Sequence, residues 1–113
     1  MSAPGAAHRL VWQRSDGPAV VFALTEPVML IGRDDEADVR IEEPLVSRAH
    51  ARLERRGGEY FLVDLGSTNL TRVNGEPVRV RSLRNGDELQ FARAVCVYHV
   101  DTARGESSSQ PTG

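Results

Sequence analysis

Three short segments hold side chains whose types and spacing suit the holding of an anion. The first is Gly32-Arg33. The second is Val46-Ser47-Arg48-Ala49-His50-Ala51. The third runs Asp64-Leu65-Gly66-Ser67-Thr68-Asn69-Leu70-Thr71-Arg72-Val73-Asn74-Gly75. Among their groups are the guanidinium forks of Arg33 and Arg48, the hydroxyls of Ser47 and Thr68, and the side-chain amide of Asn69. A guanidinium presents a planar set of donors matched to oxyanions, while hydroxyl and amide groups add shorter-range hydrogen bonds. All 14 basic residues are Arg. Any anion this chain grips electrostatically must therefore be gripped by a guanidinium.

A second chemistry has to be weighed against the first. Ser47, His50 and Asp64 are the three residue types of a hydrolytic triad. Ser47 does not sit in a Gly-x-Ser-x-Gly elbow, and it lies only three residues before His50. The other histidines, His8 and His99, are isolated in the sequence, so no metal-ligand spacing is present. The expectation is a binding module without catalysis, cofactor or metal.

The elements that must position these groups are all β. Leu10-Val11-Trp12 reads as a short strand closed by Asp16-Gly17-Pro18, and apolar runs follow at 19–24 and 28–31. From His50 to Arg56, Ala51 and Leu53 alternate with Arg52 and Glu54, the period of a half-buried strand. Gly57-Gly58 then separates it from a run at 60–65, which makes a hairpin. Asn74-Gly75 tolerates the positive φ angles of a tight turn and predicts a hairpin between Arg72-Val73 and residues 78–80. Asn85-Gly86 repeats the signal before a strand at 88–91, and residues 95–100 close the domain. No window carries a helical period. Many short strands with frequent turns imply an all-β, two-sheet antiparallel sandwich of about 11 strands. Its loops would gather at one end on a rigid base.

The bulk properties agree with one small domain. At 113 residues the chain can bury a core without a staple. Residues 1–7 read as a flexible lead-in, 8–102 as the domain and 103–113 as a disordered tail without apolar anchors. A net charge of −2 argues against nucleic-acid binding. The absence of a long apolar run argues against a membrane span. Residues 1–8 lack the pattern of a signal peptide. Cys96 is the only cysteine and sits in an apolar run, so a buried, inert thiol is expected. These features favour the cytoplasm, and the all-Arg usage hints at a GC-rich bacterial source.

Taken together, Gly32-Arg33, then Ser47-x-x-His50, then Asp64-Leu-Gly-Ser-Thr-Asn69 with the following Val-Asn-Gly resemble the signature of forkhead-associated (FHA) domains, in order and in spacing. The resemblance covers about residues 10–100. It implies a β-sandwich whose loops read phosphothreonine in a partner protein, downstream of a serine/threonine kinase. A phosphorylated side chain carries a charge of about −1.5 to −2 and three strong acceptor oxygens. Loop-borne arginines are a known means of reading it. On this likeness Arg33, Ser47, Arg48 and Thr68 would bind the phosphate, and Asn69 the main chain of the peptide. Gly32, His50, Gly66, Asn74 and Gly75 would shape the loops, with His50 as a brace.

Leu70 departs from the family pattern, which usually has Gly there. Because Gly tolerates backbone angles that Leu does not, the loop is expected to follow a different path and to alter ligand preference C-terminal to the phosphothreonine. Leu70 also supports the alternative reading, a phospho-independent interaction or assembly module on the same fold. The tail carries Ser107, Ser108, Ser109 and Thr112, with Thr102 just before it, and phosphorylation of one of the threonines would let the tail fold back on the domain or onto a neighbour.

Overall fold

The structure is a computed structural model that describes residues 6–102. The tail at 103–113 and most of the lead-in at 1–7, with the readings attached to them, lie outside the described residues. Eleven strands form two sheets: β1 (Ala6–Trp12), β2 (Val20–Leu24), β3 (Val28–Gly32), β4 (Val39–Arg40), β5 (Ala51–Arg56), β6 (Glu59–Asp64), β7 (Thr71–Val73), β8 (Glu76–Pro77), β9 (Val80–Ser82), β10 (Glu88–Phe91) and β11 (Ala94–Thr102). One sheet has the order β2-β1-β11-β10-β7-β8 and the other β4-β3-β5-β6-β9. Among the described residues there is no helix.

Alternation explains which face is buried. Leu10 and Trp12 of β1, Leu53 of β5, Leu62 of β6, and Leu89 and Phe91 of β10 point into the space between the sheets. Residues between them, such as Arg52 and Glu54, face outward. Cys96 is fully buried, and burial pushes its thiol up to about 12, which leaves it unreactive near neutral pH.

Three details differ from the strand pattern expected above. β1 begins at Ala6 and pairs along its whole length with β11, from Ala6 opposite Thr102 to Trp12 opposite Cys96. The partner of β7 is Glu76–Pro77, not residues 78–80: Asn74 and Gly75 take φ of 51° and 88°, and so tight a turn places Glu76 directly opposite Val73. Residues 80–82 instead join β6 in the other sheet. Finally, the second sheet is not wholly antiparallel. β4 runs parallel to β3, because a pairing of only two residues lets residues 33–38 double back.

That sheet sets up everything at one end of the molecule. Ile31 of β3 pairs with Ala51 of β5, and Ala51 pairs with Asp64 of β6. Ile31 also pairs with Val39 of β4. This single row of paired residues marks where three loops leave the sandwich: 33–38, 41–50 and 65–70.

Candidate functional site

The three loops are locked to one another by backbone contacts before any side chain is considered. Arg33 N–H donates to Ser47 O at 3.1 Å, and Asp34 N–H to Arg48 O at 3.2 Å. Gly32 makes this approach achievable. A Cβ there would lie 2.0 Å from the Arg48 carbonyl oxygen. Only glycine allows the second loop to lie against the end of β3. The third loop is tied in by Leu65 N–H donating to His50 O at 3.0 Å.

Beneath the surface of this end lies a layer with its hydrogen bonds satisfied. His50 is fully buried. Its Nδ1 accepts the Ser47 backbone N–H at 3.0 Å, so Nε2 carries the ring proton and donates to Leu70 O at 2.9 Å. The imidazole thereby ties the second loop to the third, with its ring edge-on to Phe91 at 5.6 Å between centroids. Asp64 organises the third loop in the same manner. Its Oδ2 accepts the N–H groups of Gly66 (3.0 Å) and Ser67 (3.2 Å), and its Oδ1 accepts the hydroxyls of Ser67 (2.5 Å) and Thr71 (2.7 Å). Burial pushes this carboxyl up, but the hydrogen bonds from the Ser67 and Thr71 hydroxyls and from the loop backbone outweigh it and hold the group below its ordinary value. Asn74 fixes the adjoining hairpin by donating to Asp87 Oδ1 at 3.0 Å and accepting the Glu88 N–H at 2.9 Å.

These contacts bear on the triad of Ser47, His50 and Asp64 weighed above. Both ring nitrogens of His50 are committed to the backbone, and Asp64 bonds to Ser67 and Thr71. The Ser47 hydroxyl has neither as a partner, so the three residues form no proton relay.

Above that layer the donors are exposed. The five residues expected to contact a ligand all belong to, or bond to, residues 45–48. Arg33 Nε donates to Val46 O at 3.0 Å. Its remaining guanidinium donors have no carboxylate partner among the described residues, and the three aspartates of the loop that follows it are engaged elsewhere. Asp34 meets Arg48, Asp35 meets Arg40, and Asp38 accepts the Leu30 N–H. Ser47 Oγ accepts the Thr68 backbone N–H at 3.4 Å and keeps its own proton to donate. The Thr68 side chain is exposed beside it. Asn69 donates through Nδ2 to Leu45 O at 2.8 Å, which leaves its carbonyl oxygen outward as an acceptor. Arg48 lies 3.3 Å from Asp34 and is 74% exposed. The structure therefore brings together two guanidinium groups, two hydroxyls and an amide on one exposed rim.

Leu70 adopts φ of 67°, a left-handed conformation that costs a residue with a Cβ roughly 1–2 kcal/mol. The loop thus holds the backbone angle a glycine would favour, despite the leucine. The reason is visible in the contacts: the Leu70 carbonyl is the acceptor for His50, and Thr71 is anchored on Asp64. Two residues matter more here than their sequence reading allowed. Asp64 entered only as part of the motif and of the discarded triad, yet it holds four hydrogen bonds. An Asp followed two and three residues later by Gly and Ser is the pattern of a side chain capping its own turn, and that signal was available. Asp34 had no part in the sequence reading of the site, and it engages Arg48.

Comparison with known proteins agrees with this geometry. The FHA domain family model matches residues 29–92. The chain is 36% identical over 106 residues to the glycogen accumulation regulator GarA of Mycolicibacterium smegmatis, covering 94% of this chain and 67% of that protein. It is 37% identical over 95 residues to the oxoglutarate dehydrogenase inhibitor of Corynebacterium diphtheriae, covering 84% and 66%. It thus spans about two thirds of the length of these relatives. Among solved structures it resembles an FHA domain studied for phosphothreonine-dependent interactions, with a TM-score of 0.76 and 31% identity over 82% of this chain and 95% of the other. The FHA domain of FhaA, solved in complex with the intracellular domain of another protein, gives a TM-score of 0.75 and 32% identity, covering 81% and 99%. The likeness takes in the loop cluster as well as the sandwich, and on these grounds the chain belongs to the FHA domain family.

Proposed function

We propose that this chain is a phosphothreonine-reading module, acting by binding and without catalysis. The observation that carries the reading is the Arg33 guanidinium, which has no carboxylate partner among the described residues, held against the Ser47 loop on an exposed, backbone-locked rim. Arg33, Ser47, Arg48 and Thr68 take the phosphate, and the outward carbonyl of Asn69 meets the main chain of the peptide. The writer of the signal is a serine/threonine kinase. The names of the relatives, a regulator and an enzyme inhibitor, suit a module that works by occupancy.

The exposed leucines 45 and 70, 46% and 44% accessible, flank this rim and favour a second reading in which apolar contact alone recruits a partner. Calorimetry with a mixed-sequence peptide pool, phosphorylated or not at a central threonine, separates the two. Phosphate-dependent binding that falls at least about tenfold in Arg33→Ala is expected, since charge-assisted hydrogen bonds contribute roughly 1.5–3 kcal/mol each. That binding should weaken below about pH 6, where the phosphate gains its second proton. Equal affinity for both pools would favour the apolar reading.

A further inference from the structure

The two arginines of the rim are not equivalent. Among the described residues Arg33 has no acidic partner, whereas Arg48 Nη2 lies 3.3 Å from Asp34 Oδ2. That is a single, long contact from a guanidinium that is 74% exposed, and such pairs hold weakly. The carboxylate is the fixed member. Asp34 Oδ1 accepts the Glu36 N–H at 2.9 Å, and the Asp34 N–H donates to Arg48 O at 3.2 Å. The Asp34 side chain is only 30% exposed. The Glu36 hydrogen bond first, then the nearby Arg48 and Arg40 charges, hold its carboxyl below the ordinary value, so it is ionised near neutral pH. Asp35 and Glu42 both occupy Arg40 and leave Asp34 to Arg48.

We propose that Asp34 is a built-in competitor for Arg48, which sets the charge a ligand must carry to be bound. This rests on the phosphothreonine reading above. A ligand oxygen reaches Arg33 without opposition but must displace Asp34 to reach Arg48. A phosphate brings a charge of about −2 and three oxygens against one carboxylate oxygen, and it can take both guanidinium groups. A peptide Asp or Glu brings the same charge and the same functional group as Asp34. It must also compete with a rival tethered in the site, whose effective concentration is high. Asp34 therefore lowers affinity for every anion, and a carboxylate, which gains nothing by exchanging with it, is left with Arg33 alone. It acts as a filter against acidic, unphosphorylated segments.

The test uses the intact chain and three mixed-sequence peptide pools with phosphothreonine, glutamate or threonine at one fixed position. Affinities are measured for the natural protein, Asp34→Asn, Arg48→Ala and the double variant. Asn retains the acceptor for the Glu36 N–H, so the loop is kept. Asp34→Asn should bind the phosphothreonine pool about two- to five-fold more tightly, the scale of one partly screened charge pair. Its binding of the glutamate pool, held by Arg33 alone in the natural protein, should rise as well, and no rise there also overturns the filter. The gain should disappear when Arg48 is already Ala. An unchanged or weaker affinity in Asp34→Asn, with phosphate dependence intact in the natural protein, overturns this inference alone. So does a gain of equal size in the Arg48→Ala background, which would mean simple repulsion. No phosphate dependence in the natural protein overturns both the functional reading and the filter.

Discussion

Two layers of the same loop cluster obey opposite rules. The lower layer, His50 with Asp64, is buried or half-buried and its hydrogen bonds are satisfied: two around the imidazole and four around the carboxylate. The upper layer, Arg33 with Ser47, Arg48, Thr68 and Asn69, is exposed or half-exposed and keeps donors unused. Binding groups can be left open to solvent because water satisfies them until a ligand arrives. Their positions hold because the groups beneath have no alternative partners. On the proposed reading, polar residues a few positions apart in sequence serve stability in one layer and recognition in the other. Substitution should separate the two sharply.

The largest effect is expected in the lower layer. His50→Ala removes the partner of the Ser47 N–H and of the Leu70 carbonyl and leaves a void, so stability measured by urea unfolding should fall by about 3 kcal/mol. Arg33→Ala, by contrast, should leave the unfolding midpoint nearly unchanged while binding is lost; a comparable loss of stability in both would erase the distinction between layers. Gly32→Ala comes next, at about 2–3 kcal/mol, because the new Cβ meets backbone that cannot give way. Its binding should fail along with its fold, which would place Gly32 with the lower layer.

A smaller effect separates the layers by pH. The Asp64 carboxyl is depressed below its ordinary value of 3.8, so its contribution is fully present above that value and is lost as pH falls through the depressed one. Urea titrations in the acid range should show the natural protein losing stability that Asp64→Asn never had. Parallel profiles for the two proteins would remove Asp64 from the bracing layer. The smallest effect is at Leu70. Relief of its left-handed backbone in Leu70→Gly should stabilise the domain by about 1 kcal/mol. A loss of stability would mean that the leucine side chain contributes more packing than its 44% exposure suggests.

Much of the fold was legible because its signals are local. The alternation in β5 and the Asn74-Gly75 turn act over a few residues, and both appear as expected. The hairpin joining β10 to β11 gave no such signal. Its turn is Ala92-Arg93, with Ala92 at φ of 59°, and the cross-strand pairing holds a conformation that Ala does not favour by itself. The two-residue β4 was equally silent, since its pairing with β3 depends on where a loop returns. Leu70 shows the same principle from the other side. Leucine disfavours the left-handed region, and the bonds at His50 and Asp64 hold it there against that local preference.

The sequence by itself determined the chemistry available: guanidinium groups and no ammonium groups, hydroxyls and an amide near each, and strands too short for anything but a sandwich. Residue types and turn signals are properties of adjacent positions, and no folding is needed to read them. Only the tertiary structure decided which arginine stands free and which is held. Arg33 lies between Gly32 and Asp34 and Arg48 between Ser47 and Ala49, and neither pattern says which of them is held by an acid. Residues 33–38 turn back beside β3, and residues 47–48 lie against Gly32, which brings Asp34 to Arg48 and leaves Arg33 without an acidic partner among the described residues. A salt bridge between residues 14 positions apart depends on the path of both loops. That path is set by the row Ile31, Ala51 and Asp64 across three strands, a contact that exists only once the sheet has formed.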